Sequence, residues 1–186
     1  MDIVFILDVS GSVEEEYRMS VAFTRTVVEG LDVASGAVRV GAIAFSTGID
    51  GQFYMNQNIG KQSGVINSLD FYDIGGTTNT PLALTEVTNN QFTSSHGDRP
   101  GVDNIAVIVS DGYSNVNEDQ TIPLSVQLRN NGVTIYSVAV GESPQMSELN
   151  AMVSMPVDDH VVRLTMQSDM NEVADMLLDK LCPANL

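Results

Sequence analysis

The sequence is poor in two kinds of residue that often decide how a protein is held together and what it binds. It contains one cysteine, Cys182, among 186 residues, which excludes an internal disulfide. Lysine and arginine number 8 against 24 aspartates and glutamates, which gives a formal net charge of −16. Such a surface repels nucleic acid phosphates and anionic membranes, so neither is an expected partner.

Long apolar runs and targeting signals are missing as well. No segment approaches the roughly 20 predominantly apolar residues that span a bilayer, and no basic stretch of the signal-peptide kind precedes the first apolar segment. Hydrophobic residues make up 43% of the chain, near the usual share of a globular protein. We therefore expect one folded domain over residues 1–186 without membrane insertion. The lone Cys182 suggests that this domain was cut from a longer protein.

Motifs of nucleotide-binding proteins and hydrolases are also missing. The chain has neither G-X-G-X-X-G nor G-X-X-X-X-G-K-[ST], and it has no G-X-S-X-G nucleophile elbow. A Mg²⁺-dependent phosphatase with Asp8 as nucleophile is the remaining enzymatic alternative. That chemistry needs a second aspartate two residues later as general acid, and Ser10 stands there. We therefore expect no catalytic residues.

Apolar runs and amphipathic segments alternate along the chain. The pattern predicts strands at residues 2–7, 38–45, 51–56, 104–110, 133–140 and 161–164. It predicts helices at residues 12–31, 61–72, 79–92, 120–130, 146–154 and 169–181. Such alternation predicts an α/β fold, with a doubly wound, mostly parallel six-stranded sheet and helices on both faces. The second and third strands are close enough for a hairpin, which would add one antiparallel edge strand.

Oxygen-bearing side chains follow the predicted buried strands. Asp8, Ser10 and Ser12 come directly after the first strand, Asp111 follows the fourth, and Thr78 lies between them at a helix start. A doubly wound sheet binds its ligand beyond the carboxyl ends of the strands, where these side chains would converge. Carboxylate and hydroxyl oxygens are ligands of hard cations, so we expect Mg²⁺ first, with Ca²⁺ or Mn²⁺ as alternatives.

These residues resemble the metal-ion-dependent adhesion site of the von Willebrand factor type A domain. The family pattern is Asp-X-Ser-X-Ser, then a distant Thr-X-Thr and a later Asp; Asp8, Ser10, Ser12, Thr78 and Asp111 match it in order. The resemblance implies that the serines and the threonine bind the metal directly while the aspartates act through water. It extends over the whole chain and is closest in style to the domains of matrilins and collagen VI.

The resemblance also implies a function. It indicates an extracellular, secreted matrix module whose metal binds an acidic residue of a protein partner, with collagen as the first candidate. Gly76, Thr77, Tyr113 and Ser114 are expected beside the metal, where they are candidates to contact that partner. Related domains often have one cysteine just before the first strand and another after the last helix. Cys182 matches the second and the first is absent, so a disulfide from Cys182 to a segment outside this chain is possible. A structural module whose metal only steadies the loops is the alternative.

Each candidate has a simpler interpretation when taken alone. The polar residues after the first strand are good helix caps, Thr78 could belong to a turn before a helix, and Asp111 could belong to a strand-end turn. Capping does not account for the set as a whole. His96 and His160 lie near aspartates and leave open a second, carboxylate–histidine metal site, although no ligand set is complete.

Overall fold

Strands and helices alternate along the computed structural model, which describes residues 1–13, 16–71 and 75–182. The described strands are β1 (Asp2–Asp8), β2 (Arg39–Phe45), β3 (Ile49–Phe53), β4 (Asn104–Ser110), β5 (Val133–Val140) and β6 (Val161–Leu164). The described α-helices are α1 (Tyr17–Gly30), α2 (Gln62–Ser68), α3 (Thr80–Glu86), α4 (Thr121–Asn130), α5 (Met146–Met152), α6 (Val157–His160) and α7 (Met170–Leu181). None of these helices is both long and apolar enough to cross a bilayer.

The strands form one six-stranded sheet in the order β3-β2-β1-β4-β5-β6. Neighbouring strands are parallel except for β2 and β3, which form an antiparallel hairpin at one edge. The chain order reverses between β1 and β4, and this is the switch point at which doubly wound sheets place their ligands. The predicted fold class is confirmed.

The central strand β1 is buried along its whole length because alternate side chains face opposite sides of the sheet. Ile3, Phe5 and Leu7 pack in the core that also contains residues of α1, α2 and α7. Val4 and Ile6 pack in the opposite core, with residues of α3, α4 and α5. The nearly unbroken apolar run at residues 2–7 thus reflects helices on both faces.

The predicted first helix differs from the structure at its start. Gly11–Val13 forms a 3₁₀ turn, and α1 begins only at Tyr17. The N-cap of α1 is Glu16, whose side chain makes no capping hydrogen bond, so Ser10 and Ser12 do not cap this helix. Residues 14–15 and 72, which the sequence placed in helices, lie outside the described residues.

Two further segments depart from the predicted pattern. The helix predicted at residues 79–92 is α3 only as far as Glu86 and then widens into a π turn at Val87–Gln91. This turn places the fully buried Gln91 amide 3.4 Å from the carbonyl oxygen of Phe53. The short helix α6 was not predicted because four residues are too few to show a helical period. His160 ends α6 and does not begin a strand.

A buried ion pair holds the amino end of β1. Asp2 is fully buried, and Arg99 donates to its Oδ1 from Nη2 at 2.7 Å and from Nε at 2.9 Å. The backbone N–H of Arg99 donates to Asp2 Oδ2 at 2.7 Å. The guanidinium also donates to the carbonyl oxygens of Met1, Gly36 and Ala37. Arg99 therefore ties the first strand to the loop that precedes β2.

We expect Arg99→Met to lower the free energy of unfolding by about 3–5 kcal/mol, because it leaves the Asp2 carboxylate buried without a counter-charge. Urea unfolding measures this change. Arg25→Met is the control, because it removes the Arg25–Asp70 pair, whose side chains are 33% and 47% exposed. An exposed pair contributes less than about 1 kcal/mol. Equal losses in the two variants would contradict the assigned role of the buried pair.

Candidate metal centre

Two loops approach each other closely beyond the carboxyl end of β1. The N–H of Gly11 donates to the carbonyl oxygen of Gly76 at 3.1 Å, and the N–H of Gly75 donates to that of Val9 at 2.8 Å. Gly76 has a φ of +85°, and a Cβ there would lie 2.6 Å from Thr47 Oγ1. Glycine at this position therefore lets the loop before α3 lie close to Thr47 in the turn between β2 and β3.

Three hydroxyl groups connect these two loops. Thr78 Oγ1 donates to Ser10 Oγ at 2.9 Å, and Ser10 Oγ lies 3.1 Å from Ser12 Oγ. Ser10 and Thr78 are 0% and 1% exposed, whereas Ser12 is exposed. We call these three residues the hydroxyl chain; it runs from the buried strand end to the surface.

Asp8 lies directly beside the hydroxyl chain. Its Oδ1 accepts a hydrogen bond from the N–H of Ser10 at 2.9 Å, and its Oδ2 accepts one from Ser110 Oγ at 2.7 Å. Burial raises the pKa of Asp8 to about 6, against the lowering effect of these bonds and with a further rise from the charge of Asp111. In the part of the chain that the structure describes, no lysine or arginine pairs with Asp8. Its ionised form therefore lacks a counter-charge.

Asp111 completes the predicted set from the end of β4. It is 8% exposed, and its Oδ1 accepts a hydrogen bond from the N–H of Tyr113 at 3.1 Å. Asp111 and Ser12 both line a surface cavity of about 180 Å³, together with Glu16 and Glu142. All five predicted metal residues thus lie at one end of the sheet, with Asp111 meeting the hydroxyl chain at this cavity.

Three of the four residues expected to face a partner lie at the surface here. Gly76 and Thr77 are exposed, and Thr77 Oγ1 lies 3.0 Å from Thr47 Oγ1. Tyr113 is 47% exposed, lines the same cavity and donates its hydroxyl hydrogen bond to the carbonyl oxygen of Ser143 at 3.3 Å. Gly76 and Thr77 thus lie exposed directly before Thr78 of the hydroxyl chain, and Tyr113 lies at the cavity that Ser12 lines.

Ser114 differs from the expectation that it faces a partner. It is only 6% exposed, and its Oγ accepts a hydrogen bond from Thr121 Oγ1 at 3.2 Å. Its hydroxyl is therefore engaged with the first residue of α4 and not with the surface. This orientation is not predictable from local sequence, because the position of α4 over the loop is a tertiary feature.

Glu148 is a nearby carboxylate that the sequence analysis missed. It lies on α5, and its Oε1 accepts a hydrogen bond from the N–H of Ser114 at 3.3 Å. Burial raises the pKa of Glu148 to about 7, and the charges of Glu118, Asp111 and Asp8 add to the rise. No local pattern marks Glu148, because only the packing of α5 brings it under the Asp111 loop.

The histidine alternative finds no support in the geometry. His96 stacks on Tyr54 with ring centroids 3.7 Å apart, and its Nδ1 lies 2.7 Å from the carbonyl oxygen of Asn90. His160 Nδ1 lies 2.8 Å from the carbonyl oxygen of Pro156. Within residues 1–13, 16–71 and 75–182, no three His, Cys, Asp or Glu side chains are grouped to hold a metal. The hydroxyl-rich centre therefore remains the candidate.

The donor set of this centre fits a hard divalent cation. Two carboxylates match the charge of a 2+ ion, and three neutral hydroxyls add coordination without adding charge. A cation would also offset the cost of holding Asp8 ionised at a buried position. Fold and site together define a doubly wound α/β domain with an oxygen-lined candidate metal centre at its switch point.

Comparison with known proteins places this domain in a family. The family model of the von Willebrand factor type A domain matches residues 2–176, and the chain belongs to this family. It is 34% identical over 155 residues to the collagen alpha-5(VI) chain of Homo sapiens, a match that covers 82% of this chain and 6% of that one. It is 30% identical over 164 residues to matrilin-1 of Gallus gallus, which covers 86% of this chain and 32% of matrilin-1. The chain thus spans less than a third of either relative.

Solved structures of proximal thread matrix protein 1 from the mussel byssus share the fold. The TM-score is 0.85 at 22% identity, and the match covers 97% of this chain and 48% of the mussel chain. One structure of that mussel protein has a zinc-occupied metal-ion-dependent adhesion site motif. At this identity the likeness shows the fold alone.

In EDTA, we expect the stability of the domain to fall as pH rises towards 7. In the folded domain the pKa of Asp8 is about 6 and that of Glu148 is about 7, whereas the ordinary pKa values of these side chains are 3.8 and 4.5. Between each pair of values the folded state binds more protons than the unfolded chain, so raising the pH favours unfolding. Urea unfolding at a series of pH values measures the slope.

The variants Asp8→Asn and Glu148→Gln remove one titrating group each and should make this decline shallower. Asp32→Asn is the control: a hydrogen bond from Ser35 lowers the pKa of exposed Asp32, so its removal cannot make the decline shallower. An unchanged slope in both Asp8→Asn and Glu148→Gln would contradict the assignment.

Proposed function

We propose that this domain is an extracellular, secreted matrix-binding module that uses a divalent cation to bind an acidic residue of a protein partner. Mg²⁺ is the first candidate cation, with Ca²⁺ or Mn²⁺ as alternatives, and collagen is the first candidate partner. The observation that carries the proposal is the hydroxyl chain between Asp8 and Asp111, which reaches the surface at Ser12. The similarity to a collagen VI chain and to matrilin-1 supports the matrix setting.

The residues of the centre have different roles in this proposal. Ser10, Ser12 and Thr78 supply neutral oxygens, while Asp8 and Asp111 supply the negative charge. Both carboxylate oxygens of Asp8 already accept hydrogen bonds, which suits an indirect role through water. When bound, a divalent cation supplies a coordination position that a carboxylate oxygen of the partner can fill.

The exposed side of the centre favours adhesion over a purely stabilising metal. Ser12 and Tyr113 are exposed at the cavity that Asp111 lines, so this side is accessible to another molecule. A phosphatase is less well supported. Ser10 stands where the general acid would be, and its hydroxyl is bonded within the hydroxyl chain.

The carboxyl end of the domain supports its placement in a longer protein. Cys182 caps α7, is exposed and has no possible partner within a chain that contains one cysteine. We propose that it forms a disulfide with a segment outside residues 1–186. The far greater length of the relatives is consistent with this arrangement.

We expect the domain to bind immobilised collagen in Mg²⁺, to lose that binding in excess EDTA and to regain it when Mg²⁺ is restored. Surface plasmon resonance measures binding under the three conditions on one sample. A urea unfolding curve recorded in EDTA shows separately whether the metal-free domain is folded. Collagen binding that is insensitive to EDTA would place the interface away from the metal centre and make the ion structural. No binding in any state would exclude collagen as the partner.

Asp111→Ala should reduce affinity for Mg²⁺ or Mn²⁺ by about 100-fold or more and abolish the EDTA-sensitive collagen binding, because it removes half of the carboxylate charge. Isothermal titration of the metal measures this directly. Asp103→Ala, which removes one exposed negative charge just before β4, at the opposite end of the strand that Asp111 follows, is the matched control and should retain binding. Undiminished metal affinity in Asp111→Ala would refute the assigned centre.

A further inference from the structure

A groove lies between α3 and the segment that leads into α4. It encloses about 280 Å³, and none of the described residues that line it is charged. Pro81, Leu82 and Leu124 provide its apolar surface, and Asn79, Asn117 and Gln120 provide amide groups. A charged group bound in this groove would be buried without a counter-charge, which is costly. The groove therefore favours an uncharged group, although the chain as a whole carries a net charge of −16.

The size of the groove suits a side chain better than a small-molecule ligand. Pockets that enclose drug-sized molecules begin at about 300 Å³ and bury most of the ligand, and this one falls just below that range. Leu82 is 37% exposed there, although it belongs to the first turn of α3. A partner side chain that covers Leu82 would remove apolar surface from water, which is favourable.

The groove is next to the metal centre along the chain, because Thr78 of the hydroxyl chain directly precedes Asn79 of the groove. The N–H of Thr78 donates to Asn115 Oδ1 at 2.9 Å, and its carbonyl oxygen accepts from the N–H groups of Asn115 and Val116 at 3.0 and 3.3 Å. Asn79, the next residue, already lines the groove. Since an extended chain advances about 3.3–3.6 Å per residue, a partner segment at the centre reaches the groove within a few residues.

Asn117 adds a polar group suited to an extended partner segment. It has a φ of +48°, and its side-chain amide makes no hydrogen bond to any of the described residues. The amide is exposed at the groove, where it can donate to and accept from a peptide backbone. The groove thus offers an apolar contact and a free amide side by side.

We propose that this groove binds an apolar side chain of the same partner segment that presents its acidic residue to the metal centre. The partner motif then pairs an aspartate or glutamate with an apolar residue at a fixed, short spacing. This inference rests on the proposed function, because it assigns a second contact to that same partner.

The experiment uses random linear peptides displayed on phage, selected on the domain in Mg²⁺ and eluted with EDTA. We expect the eluted sequences to share an acidic residue and an apolar residue at one spacing. Leu82→Glu, which places a charge in the groove, should weaken the selected peptide at least about tenfold, since it abolishes apolar burial there. Val126→Glu is the control, because Val126 is 38% exposed on α4 but does not line the groove; it should bind within about twofold of the unmodified domain.

The outcomes separate this inference from the function on which it rests. Eluted peptides that share an acidic residue without an apolar one, or that bind Leu82→Glu as well as the unmodified domain, would overturn the groove while leaving the metal-dependent function intact. The absence of any EDTA-eluted peptide would also overturn this inference, whereas the proposed function is tested separately by the EDTA-sensitive binding of immobilised collagen. In both variants, unchanged affinity for Mg²⁺ by titration confirms that the centre is still formed.

Discussion

A buried carboxylate lies at each end of the central strand, and the rest of the structure depends on how each charge is compensated. Asp2 and Asp8 are 0% and 1% exposed because β1 lies between two strands and under helices on both faces. Asp2 is paired with Arg99, a cation that the chain itself supplies. Within the described residues Asp8 has only hydrogen-bond donors, from Ser10 and Ser110. An ionised carboxylate is costly to bury without a counter-charge. The charge of Asp2 is compensated by Arg99, whereas the charge of Asp8 can be compensated by a cation from solution.

The surroundings of Asp8 are held in place from several elements. Two backbone hydrogen bonds, from Gly11 to Gly76 and from Gly75 to Val9, hold the loop before α3 against the turn after β1. Glycine at position 76 also permits a close approach to Thr47 in the turn after β2. On the other side, the N–H of Gln145 donates to the carbonyl oxygen of Asp111 at 2.7 Å, and a Cβ at Gly112 would lie 2.8 Å from Leu149. The hydroxyl chain and the Asp111 loop are therefore positioned by packing that is remote from the oxygens themselves. Among these contacts, the hydrogen bonds that orient the candidate ligands matter most, because losing such a bond typically costs a metal site about 10–100-fold in affinity.

Much of this arrangement follows from local sequence, and the remainder depends on tertiary contacts. The buried strands show as short apolar runs, and the rule that ligands bind beyond parallel strand ends led from those runs to Asp8 and Asp111. Ser110 directly precedes Asp111 among the oxygen-bearing residues, but its hydrogen bond to Asp8 was not predicted, because a serine at a strand end has no distinctive pattern. Glu148 is beyond sequence reasoning altogether, since its role arises from how α5 packs under a loop that precedes it by more than 30 residues. The same limit explains why the inward orientation of Ser114 was not foreseen.

The net charge of the domain restricts which partners can bind more than the metal centre does. Two carboxylates neutralise a divalent cation, so a third carboxylate from a partner leaves the centre with one net negative charge. Glu16 and Glu142 line the adjoining cavity, and the chain as a whole carries −16, so an isolated acidic group is repelled at long range. A favourable partner must therefore carry positive charge near its acidic residue, which attracts it over distance, while short-range coordination fixes its position. Collagen, the partner proposed above, would meet this requirement wherever lysine or arginine accompanies glutamate in its triple helices. The uncharged groove beside Thr78 then adds selectivity for apolar side chains, which charge alone cannot provide.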